Sequence, residues 1–301
     1  MKYTYILGGI VIASEFEIEE LTPIQEKADV TLKMGKTPEN LDNTITKRVL
    51  VQINANEVLL QIPDIGKFWI INDKEVIIEV LHPDKTIDAQ KYILSFILGV
   101  LSFKKGFYPL HGGGVIHNGE AYLFTAHSGA GKSTTIAGLQ QRGFTAVADD
   151  ISNLYVDNGK IMMHPCFPRF KLWEDSLEML NLKNVGEYKL RSDLQKFLVP
   201  VLNDFSIKPI PVKRIYLLVE DREGKTFMEE VKGKDKIDIL RANNYKPWMV
   251  KAFNILKEHF GLMGSISNKV EIKRFNRPLN KAKLNEMYDF LIADITGNGK
   301  S

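Results

Sequence analysis

FTAHSGAGKSTT, residues Phe124 to Thr135, is the stretch that decides how this chain folds. It closes as a phosphate-binding loop closes, with Gly131, Lys132 and Ser133 in the frame G-x-x-x-x-G-K-[ST], but Ala126 stands where that frame has its first glycine. The apolar, β-prone residues EAYLFTA just before it predict a strand, and Lys132 to about Gln141 predict a helix. A loop between strand and helix is the context in which such a match carries meaning. A nucleotide triphosphate is held where backbone N–H groups converge without side chains in the way, and Gly129 and Gly131 supply that clearance. A helix opening at Lys132 aims the positive end of its dipole at the phosphates, the Lys132 ammonium can bridge the β and γ oxygens, and the Ser133 hydroxyl is placed to ligate Mg²⁺. Ala126 costs little, because the first position mainly needs to be small at the turn from strand to loop. The plainer alternative is a glycine-rich turn ahead of a helix.

The segments that follow extend the pattern. TAVADD, 145–150, predicts a strand whose exit presents Asp149 and Asp150 beside the loop. Adjacent carboxylates point in different directions, so one metal ligand and one proton acceptor is what phosphoryl transfer would use; an acidic turn is the alternative. Asn118-Gly119 and Asn158-Gly159 are two-residue hairpin signals, the second inside SNLYVDNGKIMM. VKRIYLLVE predicts a buried strand, KPWMVKAFNILKEHF an amphipathic helix, and VEIKRFNRP with KLNEMYDFLIADI a strand and a closing helix.

Ahead of the loop, residues 3–81 carry short β-branched runs in period two, among them YTYILGGIVIA, DVTLKMG, RVLVQI, EVLLQI, KFWIIN and EVIIEV. This predicts a small β-rich module over residues 1–84, followed by an α/β domain over 85–301. HPDKT at 82–86 breaks the pattern, and a buried helix over about 87–104 follows. Its apolar run YILSFILGVLSF falls short of the roughly 20 residues that cross a bilayer.

Composition narrows the classes of function. Over 301 residues, 44% hydrophobic and 26% charged residues with a net charge of +3 describe an ordinary folded chain without the concentrated basic surface that coats nucleic acid. The basic stretch NKVEIKRFNRPLNKAK, 268–283, reads as a solvated face. One cysteine, Cys166, excludes an internal disulfide and a cysteine-rich zinc site, which suits a cytoplasmic protein. Neither a membrane nor a nucleic acid is an expected partner. Trp69 and Trp248 read as core aromatics.

Residues 110–150, LHGGGVIHNGEAYLFTAHSGAGKSTTIAGLQQRGFTAVADD, resemble the catalytic core of the HPr serine kinase/phosphorylase family, whose P-loop fold is related to that of ATP-dependent phosphoenolpyruvate carboxykinase. The likeness rests on His111-Gly112 before a strand, Ser128 to Ser133 in the loop, Arg142-Gly143 at the helix end, and Ala148 to Asp150 at the strand exit, in that order. It implies an α/β fold with an HPr kinase/PEP carboxykinase-like P-loop core behind the β-rich front module. It implies that Ser128, Gly129, Ala130, Gly131, Lys132, Ser133 and Thr134 bind the phosphates of ATP, that Ser133 and Asp149 hold Mg²⁺, and that Asp150 takes the proton of a substrate serine. His111 would lie at the active site, with a hydrogen-bonded structural histidine as the alternative. His117 and His127 match no role, although His127 lies inside the loop.

The sequence departs from the family's regulatory enzymes in two places. Thr134 stands where they carry an acidic residue after the K-S of the loop, and their downstream E-I-R-G-x-G-I-I-N-V signature is missing. HPCFPRFKLWEDSLEML, 164–180, instead resembles the P-R-x-K-L-W segment of shorter HPr-kinase-like proteins from peptide-maturation systems, including kinases of lasso-peptide precursors. Arg169 and Lys171 in this segment are candidates for holding phosphate or an acidic substrate group; a solvated strand face beside Trp173 is the alternative. Lys189 and Arg191 are further candidates.

The expected function is therefore an ATP- and Mg²⁺-dependent kinase acting on a serine of a peptide or protein, foremost a ribosomal peptide precursor. Alternatives are a kinase of an HPr-like phosphocarrier or of a small-molecule hydroxyl, a carboxykinase-like enzyme, and an ATP-sensing module without catalysis. A homo-oligomer is compatible with the family.

Overall fold

Alternation of buried and open side chains along the first eighty residues builds a mixed sheet in the computed structural model. The structure describes the chain apart from residues 19, 22, 128, 167–168, 181–188, 192–193, 201–206, 222, 279–282 and 299–301. The chain forms two units, Met1–Phe107 with Lys246–His259, and Tyr108–Tyr245 with Phe260–Ser301. The helix expected to open the second domain therefore belongs to the first unit, and the division falls after Phe107 instead of after residue 84.

In the first unit, β1 (Tyr3–Leu7), β2 (Ile10–Ser14), β3 (Val30–Met34), β4 (Thr46–Lys47), β5 (Val51–Ile53), β6 (Glu57–Ile62), β7 (Gly66–Ile71) and β8 (Glu75–Val80) pair in the order β1-β2-β3-β8-β7-β6-β5-β4. The pleat of β7 turns Phe68 and Ile70 inward and leaves Trp69 half-buried, its Nε1 donating to Glu57 at 2.9 Å. Trp248 is also half-buried, under the Arg48 guanidinium at 4.7 Å, so neither tryptophan is the core aromatic expected. Helix α1 (Thr86–Tyr92), a π-helical stretch (Ile93–Ile97) and α2 (Leu98–Lys104) follow. From Pro83 to Lys104 this helix is long and apolar enough to span a bilayer by length and composition. Its Ile93, Ile97, Val100 and Leu101 are fully buried, as in the core helix of a folded unit.

The second unit contains β9 (Tyr108–Leu110), β10 (Gly112–His117), β11 (Glu120–Thr125), α3 (Lys132–Gln140), β12 (Thr145–Ala148), β13 (Ser152–Asp157), β14 (Lys160–His164), β15 (Arg169–Trp173), α4 (Glu174–Met179), β16 (Lys189–Arg191), β17 (Leu194–Pro200), β18 (Ile210–Asp221), β19 (Phe227–Glu230) and α5 (Lys234–Ala242). After α6 (Trp248–Ala252) come α7 (Leu256–Lys269), β20 (Glu271–Pro278) and α8 (Leu284–Thr296). The helix expected over 246–260 is thus broken at Asn254, whose φ of 55° lies in the left-handed region that asparagine tolerates.

The main sheet runs β12-β10-β11-β18-β20-β19, with β11, β18 and β20 mutually parallel, and β14, β13 and β9 branch from the start of β18. Alternate residues of these strands feed two cores. Phe124, Tyr216 and Phe275 pack with Ile136 and Leu139 of α3 and Leu291 of α8, whereas Leu123, Ile215 and Ile272 pack with Leu240 of α5 and Ile266 of α7. Both faces of the sheet are covered, which is why its central strands read as continuous apolar runs. The two Asn-Gly pairs form the hairpin turns expected, each with both residues at positive φ: Asn118 at 50°, Gly119 at 76°, Asn158 at 45° and Gly159 at 76°.

Candidate active site

The phosphate-loop sequence lies between β11 and α3, as its flanks predict. Ala126 is 2% exposed and packs in the core with Phe124 and Ile136, so the position wants a small apolar side chain. Positive φ falls instead on Gly129 (89°) and Gly131 (79°). Gly131 is the N-cap of α3, with no side-chain cap and no acidic residue in the first turn. The opening amides of that helix are consequently presented to an anion, and an oxygen-rich phosphate fits this cradle.

Topology brings the remaining groups to the loop. The chain passes from β9 to β10 through His111, and from β12 to β13 through Asp149, Asp150 and Ile151. β10 pairs with β12 and β9 with β13, both antiparallel, so the two crossings run side by side between the Leu110–Ser152 and Gly114–Ala148 pairs. Gly113 permits the approach, because a Cβ there would overlap the Ala148 carbonyl and stand 2.6 Å from Asp149 Cα. The Ser152 hydroxyl donates to the Gly112 carbonyl at 3.0 Å and ties the crossings together.

His111 is the centre of the cluster. Its Nδ1 lies 3.0 Å from the Asp150 carbonyl oxygen and its Nε2 lies 3.4 Å from Lys132 Nζ. The carbonyl can only accept and the ammonium can only donate, a pair of contacts that a neutral ring with its proton on Nδ1 satisfies. The Asp150 carboxylate stands farther from the same nitrogen, Oδ1 at 3.4 Å, and the shorter bond to the carbonyl takes the proton. His111 N–H donates to the Asn243 carbonyl at 2.8 Å, and its carbonyl accepts from Thr125 Oγ1 at 2.8 Å. Around Asp150 the site is lined by Tyr245, whose pKa is raised by burial and by the Asp150 charge, and by Cys166, whose thiol burial pushes up to about 12.

The two aspartates differ in exposure. Asp149 is buried, at 4%, whereas the Asp150 side chain is 29% exposed and open to an incoming group. Thr134 Oγ1 is hydrogen-bonded to Ser176 Oγ of α4 at 2.8 Å, and the Thr134 carbonyl accepts from Tyr288 of α8 at 3.0 Å, so its side chain faces protein. Ser133 is half-buried in the first turn of α3. The oxygen donors Ser133 and Asp149 suit Mg²⁺, a hard cation that takes one or two protein ligands and completes its shell with phosphate and water. Among the described residues, no group of three or more His, Cys, Asp or Glu side chains forms a metal cluster.

Ser128 and the side chains of Arg169, Lys171, Lys189 and Arg191 lie outside the described residues. His117 packs against Tyr122 and Phe144 at the far end of β10, and His127 is exposed in the loop. Arg277 lies in the basic stretch that reads as a solvated face, yet it is 14% exposed and donates from Nε to the Ala130 carbonyl at 2.8 Å. Lys273 of the same stretch is 17% exposed and paired with Asp294. The signal available for both was their place in a strand that also carries the core residues Ile272 and Phe275.

The chain matches no protein-family model and no curated protein sequence. Among solved structures, that of the Hpr(Ser) kinase/phosphatase from Coxiella burnetii is similar over 64% of this chain and 99% of its own, at 12% identity and a TM-score of 0.34.

Proposed function

We propose that this chain is an ATP- and Mg²⁺-dependent kinase that transfers the γ-phosphate to a serine hydroxyl of a peptide or protein partner. The observation that carries the reading is the meeting of Lys132 and the Asp150 segment on the two nitrogens of His111, at the mouth of a strand–loop–helix whose amides are presented to an anion. A generic glycine-rich turn has no reason to gather an ammonium, an imidazole and a carboxylate.

The loop amides and Lys132 would hold the phosphates of ATP, and Lys132, held near His111 Nε2, is free to transfer its hydrogen bond to a γ oxygen. Ser133 and the buried Asp149 would hold Mg²⁺, which when bound offsets charge on the transferring phosphoryl. The more exposed Asp150 accepts the proton of the serine hydroxyl, or orients that hydroxyl if the transition state is dissociative. His111 fixes the backbone of Asp150 and thereby the origin of its side chain.

The test is mass spectrometry of candidate acceptors after incubation with the protein and Mg·ATP: short peptides encoded beside the gene, and an HPr-type phosphocarrier. A phosphoserine on a peptide, lost in Lys132→Ala and Asp150→Asn while Asp150→Asn still binds ATP, is the expected result. Full transfer by Asp150→Asn would remove that residue as the base, and phosphate on the phosphocarrier alone would replace the substrate class.

A further inference from the structure

We infer that Arg277 is a positioning residue of the phosphate loop, which sets the direction of the Gly131 N–H. The inference rests on the nucleotide-binding reading above. In a trans peptide, the C=O of one residue and the N–H of the next lie in one plane and point in opposite directions. The Ala130 carbonyl accepts from Arg277 Nε at 2.8 Å, so the Gly131 N–H of that same peptide unit is aimed directly away from Arg277. A loop that binds phosphate through its amides needs its carbonyls turned outward, and this bond holds one of them there.

The arginine is itself fixed. β20 runs parallel to β18 to its last residues, which sets Arg277 opposite Glu220, and Nη2 donates to Glu220 Oε1 at 2.8 Å. A guanidinium is a planar fork, so bonds from Nε and Nη2 to two separate partners leave it no rotation to spare. It also lies flush on the loop, since a Cβ on Gly131 would stand 2.8 Å from Nη2. Gly131 is therefore constrained twice, by its φ of 79° and by the arginine against its Cα. Burial lowers the Arg277 pKa and Glu220 opposes that shift; arginine stays charged at any working pH, so a cation stands behind the loop.

Two roles, a general positive field and a directional brace, give different results in substitution. Lysine keeps the charge but lacks the fork, and Glu220→Gln removes the negative partner while weakening the anchor. Affinities for Mg·ATP and for inorganic tripolyphosphate, measured by titration calorimetry alongside thermal unfolding, separate them. Arg277→Met and Arg277→Lys are both expected to weaken the two ligands by about tenfold, as loss of one charge-assisted donor requires, and Glu220→Gln by about threefold. If Arg277→Lys binds tripolyphosphate as wild type does, or Glu220→Gln binds it more tightly, the brace is wrong. Should Arg277→Met fail to fold, the lysine and glutamine variants decide the matter. A wild-type chain with affinity for neither ligand removes the nucleotide reading itself, and the brace with it.

Discussion

Gly138 sits in the last turn of α3, where helix propensity alone says that alanine should stabilise by up to about 1 kcal/mol. The structure reverses the sign. A Cβ on Gly138 would overlap the hydroxyl of Tyr288, which reaches across from α8 to donate to the Thr134 carbonyl at 3.0 Å. The same ring carries the Arg142 guanidinium at 4.0 Å from its centroid. To admit the methyl, Tyr288 must swing away, leaving a buried hydroxyl unbonded at about 1–3 kcal/mol. Disturbing the cation–π contact adds about 0.5–1 kcal/mol, and residual overpacking adds about 1 kcal/mol or more. Against the propensity gain, Gly138→Ala should destabilise the chain by about 2–4 kcal/mol. Urea unfolding of the wild type, Gly138→Ala, Tyr288→Leu and the double variant measures this directly. In the Tyr288→Leu background the alanine should cost nothing or stabilise, because the obstructing ring is gone. A Gly138→Ala protein as stable as wild type or more so, with Tyr288 intact, would refute the packing of α8 on α3 described above.

His259 is 8% exposed beside the Phe103 ring at 5.7 Å, and burial lowers its pKa from 6.5 to about 4. The unfolded chain takes up a proton first, so this stability is complete above about pH 6.5 and is lost as pH falls toward 4, by about 2 kcal/mol at pH 4.5 after allowing for residual solvent contact. Urea midpoints of wild type and His259→Phe should diverge from each other over that window, and parallel pH profiles would contradict the assignment. Asp294 accepts from Arg214 Nη1 at 2.6 Å, Tyr216 at 2.8 Å and Lys273 Nζ at 2.6 Å, tying α8 to β18 and β20. Asp294→Ala should cost about 2 kcal/mol in the same assay, since it removes charge-assisted hydrogen bonds from Arg214 and Lys273 and leaves them Glu271 as their remaining carboxylate; a loss below about 0.5 kcal/mol, the level of an ordinary surface change, would show the cluster to be solvated. On the proposed kinase reading, His111→Ala should lower the rate of phosphate transfer by about tenfold to a hundredfold while the Kd for ATP changes little, because it releases the Asp150 backbone and leaves the loop amides in place. A change confined to Kd would move His111 from the acceptor side of the site to the phosphate side.

Whatever depends on neighbours along the chain is legible in the residues themselves. Strand, glycine loop and helix around FTAHSGAGKSTT follow from local pattern, as do the Asn-Gly turns and the paired aspartates at the exit of β12. Even Ala126 in place of glycine is locally intelligible, because the left-handed residues of the loop are Gly129 and Gly131. Tertiary structure alone decided which distant residues share the site. His111 meets Asp150 because two chain crossings between sheet branches run side by side, and Gly113 lets them close. Arg277 reaches the loop because β20 extends along β18 as far as Asp221 and Pro278, a register that no periodicity in KRFNRP reveals. The same holds for the unit boundary after Phe107: an apolar helix states that it must be buried, and only the folded chain supplies the surface that buries it.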